Sequence, residues 1–252
     1  MFRIIRTRVE FLAKRKTDIT VMVTSSESGD GKTYFSINLA CVYAMANSKT
    51  LLMDLDIRKP SVYSRIGVSN KLGVTNYLVD QCTLDDIIVR PANAEFDFIS
   101  AGTVPPNAGE LIRSEKLALL MQELRQRYDF IIVDTSPIGV VADAYSFASL
   151  SDVNLFVIRN NKTNKLFVRN LSNQLKVDNM HNFYSVLNDI DQKTSSYSRY
   201  YSNNYTYGKR YGYGGYGYGY GYGYGYFSRK KKKGGKDPDM YFQYYQDDEK
   251  KI

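Results

Sequence analysis

Val21-Met22-Val23-Thr24-Ser25-Ser26-Glu27-Ser28-Gly29-Asp30-Gly31-Lys32-Thr33 is an apolar run that breaks into a glycine-bearing loop and ends in Gly-Lys-Thr. Residues 19–23 have the composition of a buried strand. Beyond the loop, Phe35, Leu39, Val42 and Ala46 recur at helical spacing, so a helix is expected from about Lys32. A strand that turns through glycines into a helix aims backbone N–H groups and the positive end of the helix dipole at one spot, which makes a phosphate cradle. In the pattern G-x-x-x-x-G-K-[ST], Ser28, Gly29, Asp30 and Gly31 form the cradle. Lys32 reaches β- and γ-phosphate oxygens, and the Thr33 hydroxyl ligates Mg²⁺. Ser26 stands where the pattern has its first glycine, and serine tolerates left-handed backbone angles less well. The competing reading is an ordinary strand, turn and helix with a chance Gly-Lys-Thr.

Outward from the loop, two more apolar runs end in carboxylates. Thr50-Leu51-Leu52-Met53-Asp54-Leu55-Asp56 places two acids at i and i+2, on one face of a strand. In an open α/β sheet the ligand lies at the carboxyl ends of the strands, so both acids emerge beside the phosphates. One would hold Mg²⁺ through water and the other orient an acceptor hydroxyl; a pair of solvated loop carboxylates is the alternative. The run from Tyr128 to Asp134 has the form of a Walker B strand and makes Asp134 a second acid on the metal side. Short helical pieces are expected at 74–79 and 84–88, strands at 96–100, 153–158 and 183–187, and helices at 111–127 and 164–176. Repeated β-α-β crossovers imply a P-loop NTPase of the α/β class, with a mostly parallel sheet flanked by helices on both faces.

Composition divides the 252 residues near position 191. Up to Asp191 there are 22 Lys+Arg against 21 Asp+Glu, and beyond it 12 against 5, so the tail carries +7 of the +8 net charge. A nearly neutral folded part argues against a nucleic-acid-binding face there. Cys41 and Cys82 lack C-x-x-C spacing and read as reduced core residues, and the single His181 cannot build a metal site. No run of about 18 apolar residues is present, and residues 1–20 are too charged for a secretory signal, so the chain is expected in the cytosol.

The two ends of the chain differ in kind. Residues 2–16 place Phe2, Ile5, Val9 and Leu12 at helical spacing with Arg3, Arg6 and Arg8 between them, a basic amphipathic helix. It is either a solvated charged face or a contact surface for another subunit or anionic lipid. From residue 192, glycine alternating with tyrosine leaves little to pack and much entropy to lose, so disorder is expected. Sixteen of the 23 tyrosines fall there: Tyr197, Tyr200, Tyr201, Tyr205, Tyr207, Tyr211, Tyr213, Tyr216, Tyr218, Tyr220, Tyr222, Tyr224, Tyr226, Tyr241, Tyr244 and Tyr245. The last three are flanked by acidic residues.

The order of the Ser26–Thr33 loop, then Asp54-Leu55-Asp56-Ile57-Arg58, then Asp134-Thr135-Ser136-Pro137, then a tyrosine-rich tail, resembles the bacterial protein-tyrosine kinases called BY-kinases. Pro106-Asn107-Ala108-Gly109-Glu110-Leu111-Ile112 is similar to the family's P-N-P-x-E-L-L segment, with Ala108 in place of the second proline. The resemblance implies a kinase domain over 1–191 and a substrate tail over 192–252. It implies ATP and Mg²⁺ as cofactors, with Thr33, Asp56 and Asp134 serving the metal. Lys32, Asp54 and Asp56 are then catalytic, Asp54 accepting or orienting the tyrosine hydroxyl proton. Asn188 occupies the position that contacts adenine, although an Asn satisfying a turn is an equal alternative.

Arg3 and Arg6 match the family's E-x-x-R-x-x-R oligomerisation motif, whose glutamate would fall one residue ahead of Met1. The family further implies a ring, an octamer in the full-length protein. It also implies a transmembrane activator in cis or in trans, a cognate tyrosine phosphatase, a place at the cytoplasmic face of the inner membrane, and control of surface polysaccharide. Two other functions compete. The ParA/MinD partitioning ATPases share the fold but carry a lysine where this chain has Glu27. A Tyr/Gly tail with basic ends also fits RNA binding or self-association, with the nucleotide fold as its carrier.

Overall fold

The structure, a computed structural model, describes residues 1–15, 17–104 and 107–190. The tail's expected disorder, its sixteen tyrosines and Pro106 of the Pro-Asn segment lie outside the described residues. Residues Met1–Asn188 lie in one compact unit.

In chain order, α1 (Phe2–Ala13) leads to β1 (Ile19–Ser25), α2 (Lys32–Ala44) and β2 (Thr50–Leu55). Three short helices follow, α3 (Val62–Ile66), α4 (Val74–Leu78) and α5 (Leu84–Ile87), then strands β3 (Ile88–Val89) and β4 (Asp97–Ile99). Next come α6 (Ala108–Ile112), α7 (Glu115–Arg127), β5 (Phe130–Thr135) and α8 (Asp143–Phe147). The series closes with β6 (Val153–Arg159), α9 (Lys165–Val177) and β7 (Phe183–Asn188). The strands form one sheet in the order β3-β4-β2-β5-β1-β6-β7, parallel throughout except for the antiparallel β3–β4 pair. This is the expected α/β architecture.

Both faces of the sheet are covered, so β1, β2 and β5 are mostly apolar, with Thr20 and Thr50 the polar exceptions ahead of their carboxyl ends. Ile19, Val21, Val23, Leu52, Phe130 and Ile132 join the core under α1 and α2, while Met22, Leu51, Met53, Ile131 and Val133 join the core under α4 to α8. Helix α2 is buried on nearly all sides because it lies between the sheet and α1.

Two expected helices are corrected. The helix expected at 111–127 is two helices, because Ser114 adopts an extended backbone and its hydroxyl caps α7 by accepting from the Leu117 N–H. The helix expected at 2–16 ends at Ala13, where Lys14 turns left-handed. Part of the apolar stripe of α1 is covered within the chain: Val9 is buried, and the half-buried Phe2, Ile5 and Leu12 pack against the domain's own core, while Ile4, Phe11, Arg3 and Arg8 stay exposed. Finally α3, α8 and β3 were not anticipated, being too short for a hydrophobic period to register.

Candidate active site

The phosphate loop is built where β1 stops and α2 begins. Gly31 caps α2 at φ 103°, and Gly29 sits at φ 88°. Ser26 is not among the residues with positive φ, so the position of the missing first glycine needs no left-handed angle here. Its hydroxyl instead donates to Asp30 Oδ2 at 2.7 Å, and the Glu27 N–H donates to the same oxygen at 3.1 Å. The serine thus braces the loop from within.

Two cations, Arg159 at the end of β6 and Lys162 just beyond it, hold the outside of the cradle, and sequence reasoning missed both. Lys162 Nζ donates to the Ser28 carbonyl at 2.9 Å and lies 3.2 Å from Asp30 Oδ1, while Arg159 Nη1 donates to the Gly29 carbonyl at 2.8 Å. Asn188, the last residue of β7, donates from Nδ2 to the Asp30 carbonyl at 3.0 Å and lies directly over Gly31. The fold therefore brings Asn188 to the nucleotide loop from a sequence distance of more than 150 residues.

The three acids gather beside Lys32. Asp54 and Asp134 are in register on adjacent parallel strands, and both are fully buried. Lys32 Nζ donates to Asp56 Oδ2 at 2.9 Å, and Ser136 Oγ donates to Asp56 Oδ1 at 2.8 Å. Thr33 Oγ1 donates to Asp134 Oδ2 at 2.7 Å and Ser36 Oγ to Asp134 Oδ1 at 3.0 Å. Asp54 takes backbone donors: the Asp56 N–H on Oδ1, and the Ser61 and Val62 N–H groups on Oδ2, each at 3.1 Å.

Charge is crowded here. Burial, followed by the repulsion of Asp134, pushes the Asp54 carboxyl up to about 8 against the pull of the Val62 and Ser61 N–H groups. Burial also raises Asp134, although Lys32, Thr33 and Ser36 oppose it. Burial depresses Lys32, but the attraction of Asp134 and then Asp56 outweighs it, so the ammonium is held above its ordinary value. The Lys32 ammonium bonds to Asp56 alone among the described residues and feels Asp134 and Asp54 only through space. Among the described residues no three acid, His or Cys side chains are arranged to enclose an ion on their own.

The remaining sites separate. Arg6 Nη1 donates to the Val42 carbonyl at 2.9 Å and so ties α1 to α2, whereas Arg3 is exposed and makes no ion pair among the described residues. Cys41 is a buried free thiol, Cys82 a half-buried one. The candidate acceptor tyrosines lie outside the described residues.

A profile for a family described as an AAA domain matches residues 19–182. The chain is 30% identical over 210 residues to the tyrosine-protein kinase CpsD of Streptococcus agalactiae, covering 83% of this chain and 89% of that one. It is 35% identical over 164 residues to the tyrosine-protein kinase YwqD of Bacillus subtilis, covering 65% of this chain and 69% of that one. Among solved structures, the kinase domain of the Escherichia coli tyrosine kinase ETK superposes with a TM-score of 0.71 at 30% identity, covering 78% of this chain and 77% of that one. The chain belongs to the bacterial protein-tyrosine kinases. It spans 22% of the whole E. coli etk protein, so what it shares with that relative is the kinase domain. For a BY-kinase the converging loop and acids are a nucleotide site, and no described helix is long and apolar enough to cross a membrane.

Proposed function

We propose that the chain is an ATP-dependent autokinase that transfers the γ-phosphate of ATP, in trans, to tyrosines of the tail of another copy, and so regulates surface polysaccharide synthesis or export. The observation that carries this is the convergence of Lys32, Thr33, Asp54, Asp56 and Asp134 at the carboxyl ends of β1, β2 and β5 in a chain that also holds sixteen tail tyrosines. In the transfer, the phenolic oxygen bonds to the γ-phosphorus, the bond to the β,γ-bridging oxygen breaks, and ADP leaves. Asp54 receives the phenolic proton. Three of about four lone-pair sites on its carboxylate are held by N–H groups, so one remains for the acceptor. Phosphoryl transfer runs through a loose transition state, so positioning and charge neutralisation carry most of the catalysis.

The donor set fits Mg²⁺, which binds through a few oxygens and keeps waters and phosphate as its other ligands. Thr33 and Asp134 would hold it directly and Asp56 through water; bound there, it would offset the acid excess and the phosphate charge. Lys32 reaches the phosphates by sharing its ammonium with Asp56, and Asn188 lies where it can meet the nucleotide base. The domain would span 1–191 and the substrate tail 192–252. Arg3, free of ion pairs among the described residues, supports α1 as a ring contact, and the transmembrane activator and phosphatase remain partners in this reading. Glu27 counts against a partitioning-type ATPase switch, which needs a lysine there.

The test is the phosphatase-treated chain with Mg-ATP, read by intact mass and peptide mapping. Phosphotyrosine at 197–245 is expected in the parent, with a loss of at least about a hundredfold in Lys32→Met and in Asp54→Asn, the scale at which charge-stabilising and proton-accepting groups act. ADP release without phosphotyrosine would overturn the autokinase in favour of the ATPase switch.

A further inference from the structure

Three cations stand beyond the acid cluster: Arg58 and Lys59 on the turn that follows Asp56, and Arg113 at the end of α6. Arg58 follows Asp56 by two residues and is exposed; its Nε and Nη2 face the buried Asp143 at 2.6 and 3.4 Å. Arg113, at the end of α6, is exposed and makes no ion pair among the described residues, and the same is true of the Lys59 side chain. A Cβ built on Gly109 would lie 3.4 Å from Arg58 Nη2 and 3.8 Å from Arg113 Nη2. The two guanidinium groups therefore flank one spot, with Asp143 Oδ1 at 3.5 Å from it. Against them stand Asp143, already paired with Arg58, and Glu110, whose carboxylate accepts from Asn107 at 3.3 Å. Arg58, Lys59 and Arg113 against Asp143 and Glu110 leave this edge with a positive balance, and it begins two residues beyond Asp56.

The chain's own acceptors fall into two classes by charge. All five acids of the tail are Asp237, Asp239, Asp247, Asp248 and Glu249, and they bracket Tyr241, Tyr244 and Tyr245. The tract from Tyr211 to Tyr226 contains no acid and is flanked by Lys209, Arg210 and the basic run that starts at Arg229. A cationic rim attracts the first class and repels the flanks of the second. We infer that Arg58 and Arg113 are specificity-determining residues that select acceptor tyrosines with an acidic flank, so that Tyr241, Tyr244 and Tyr245 are phosphorylated before the Tyr/Gly tract. This rests on the autokinase reading above.

The experiment follows site-resolved phosphotyrosine over time in the dephosphorylated full chain with Mg-ATP. The readout is the initial-rate ratio of the acidic cluster to the 211–226 tract. Four proteins are compared: the parent, Arg113→Glu, a triple variant carrying Asp247→Asn, Asp248→Asn and Glu249→Gln, and the two combined. The parent ratio exceeds one. It falls about fivefold in Arg113→Glu and in the triple variant, about what one exposed ion pair supplies, and no further when they are combined. Arg113→Lys restores it, and added salt lowers it in the parent. A parent ratio at or below one, an unchanged ratio in Arg113→Glu, or additive losses would each overturn the selection. A parent with no phosphotyrosine anywhere would overturn the autokinase reading itself, and the selection with it.

Discussion

Gly31 holds a backbone angle that an L side chain rarely adopts, and a Cβ there would lie 2.2 Å from Asn188 Nδ2. Gly31→Ala therefore combines about 1–2 kcal/mol of left-handed strain with the displacement of Asn188. Denaturant unfolding will show a lower midpoint, and nucleotide titration a weakened affinity. The two thiols separate in the same way. Burial pushes the Cys41 thiol up to about 12, so at pH 8 only about one in ten thousand is thiolate. Cys82 is also raised by burial but is half-buried. Alkylation of the native chain at pH 8 will label Cys82 first and spare Cys41 until the domain is unfolded; equal labelling would mean that α2 opens readily. At this scale Lys32, Thr33, Asp54, Asp56 and Asp134 were legible because loop and strand-end chemistry is local. Arg159 and Lys162 were not, because nothing within their own segment marks a cation that reaches back about 130 residues to the loop's carbonyls.

Between α6 and α7 the extended backbone at Ser114 makes two helices where one was expected, and its hydroxyl caps the second. Ser114 accepts the Leu117 N–H, and Ser114→Ala leaves that donor without its cap, at a cost of about 1 kcal/mol. The change will appear as a lower unfolding midpoint with an unchanged denaturant slope. A periodicity argument places Leu117, Leu120, Met121 and Leu124 on one inner face, and the apolar Leu111 and Ile112 just ahead of them carry no stop signal, so the break is missed. Only the extended backbone at Ser114 separates the two helices. For α1 the pattern of Phe2, Ile5, Val9 and Leu12 gave a helix and its apolar face, and left open what covers that face. The structure packs part of it against the domain's own core, with Arg6 bonded to the end of α2.

Across the whole molecule, charge is what phosphorylation changes most. The tail beyond Asp191 holds 12 basic against 5 acidic residues, and each phosphate adds about −1.5 to −2 charges, so about four phosphotyrosines cancel its positive balance. If tail charge helps to hold copies together, a heavily phosphorylated sample will show a smaller mass by light scattering than a dephosphorylated one; equal masses would sink that idea. The sequence by itself determined the fold class, the phosphate loop and the strand-end acids, because hydrophobic period and loop chemistry are properties of neighbouring residues. The tertiary structure alone decided the strand order. That order sets Asp54 beside Asp134, Asn188 over Gly31, Lys162 against Asp30 and Arg113 across Gly109 from Arg58. Such meetings depend on how distant segments pack into one sheet and its covering helices, and the interactions that fix them act only once the chain is folded.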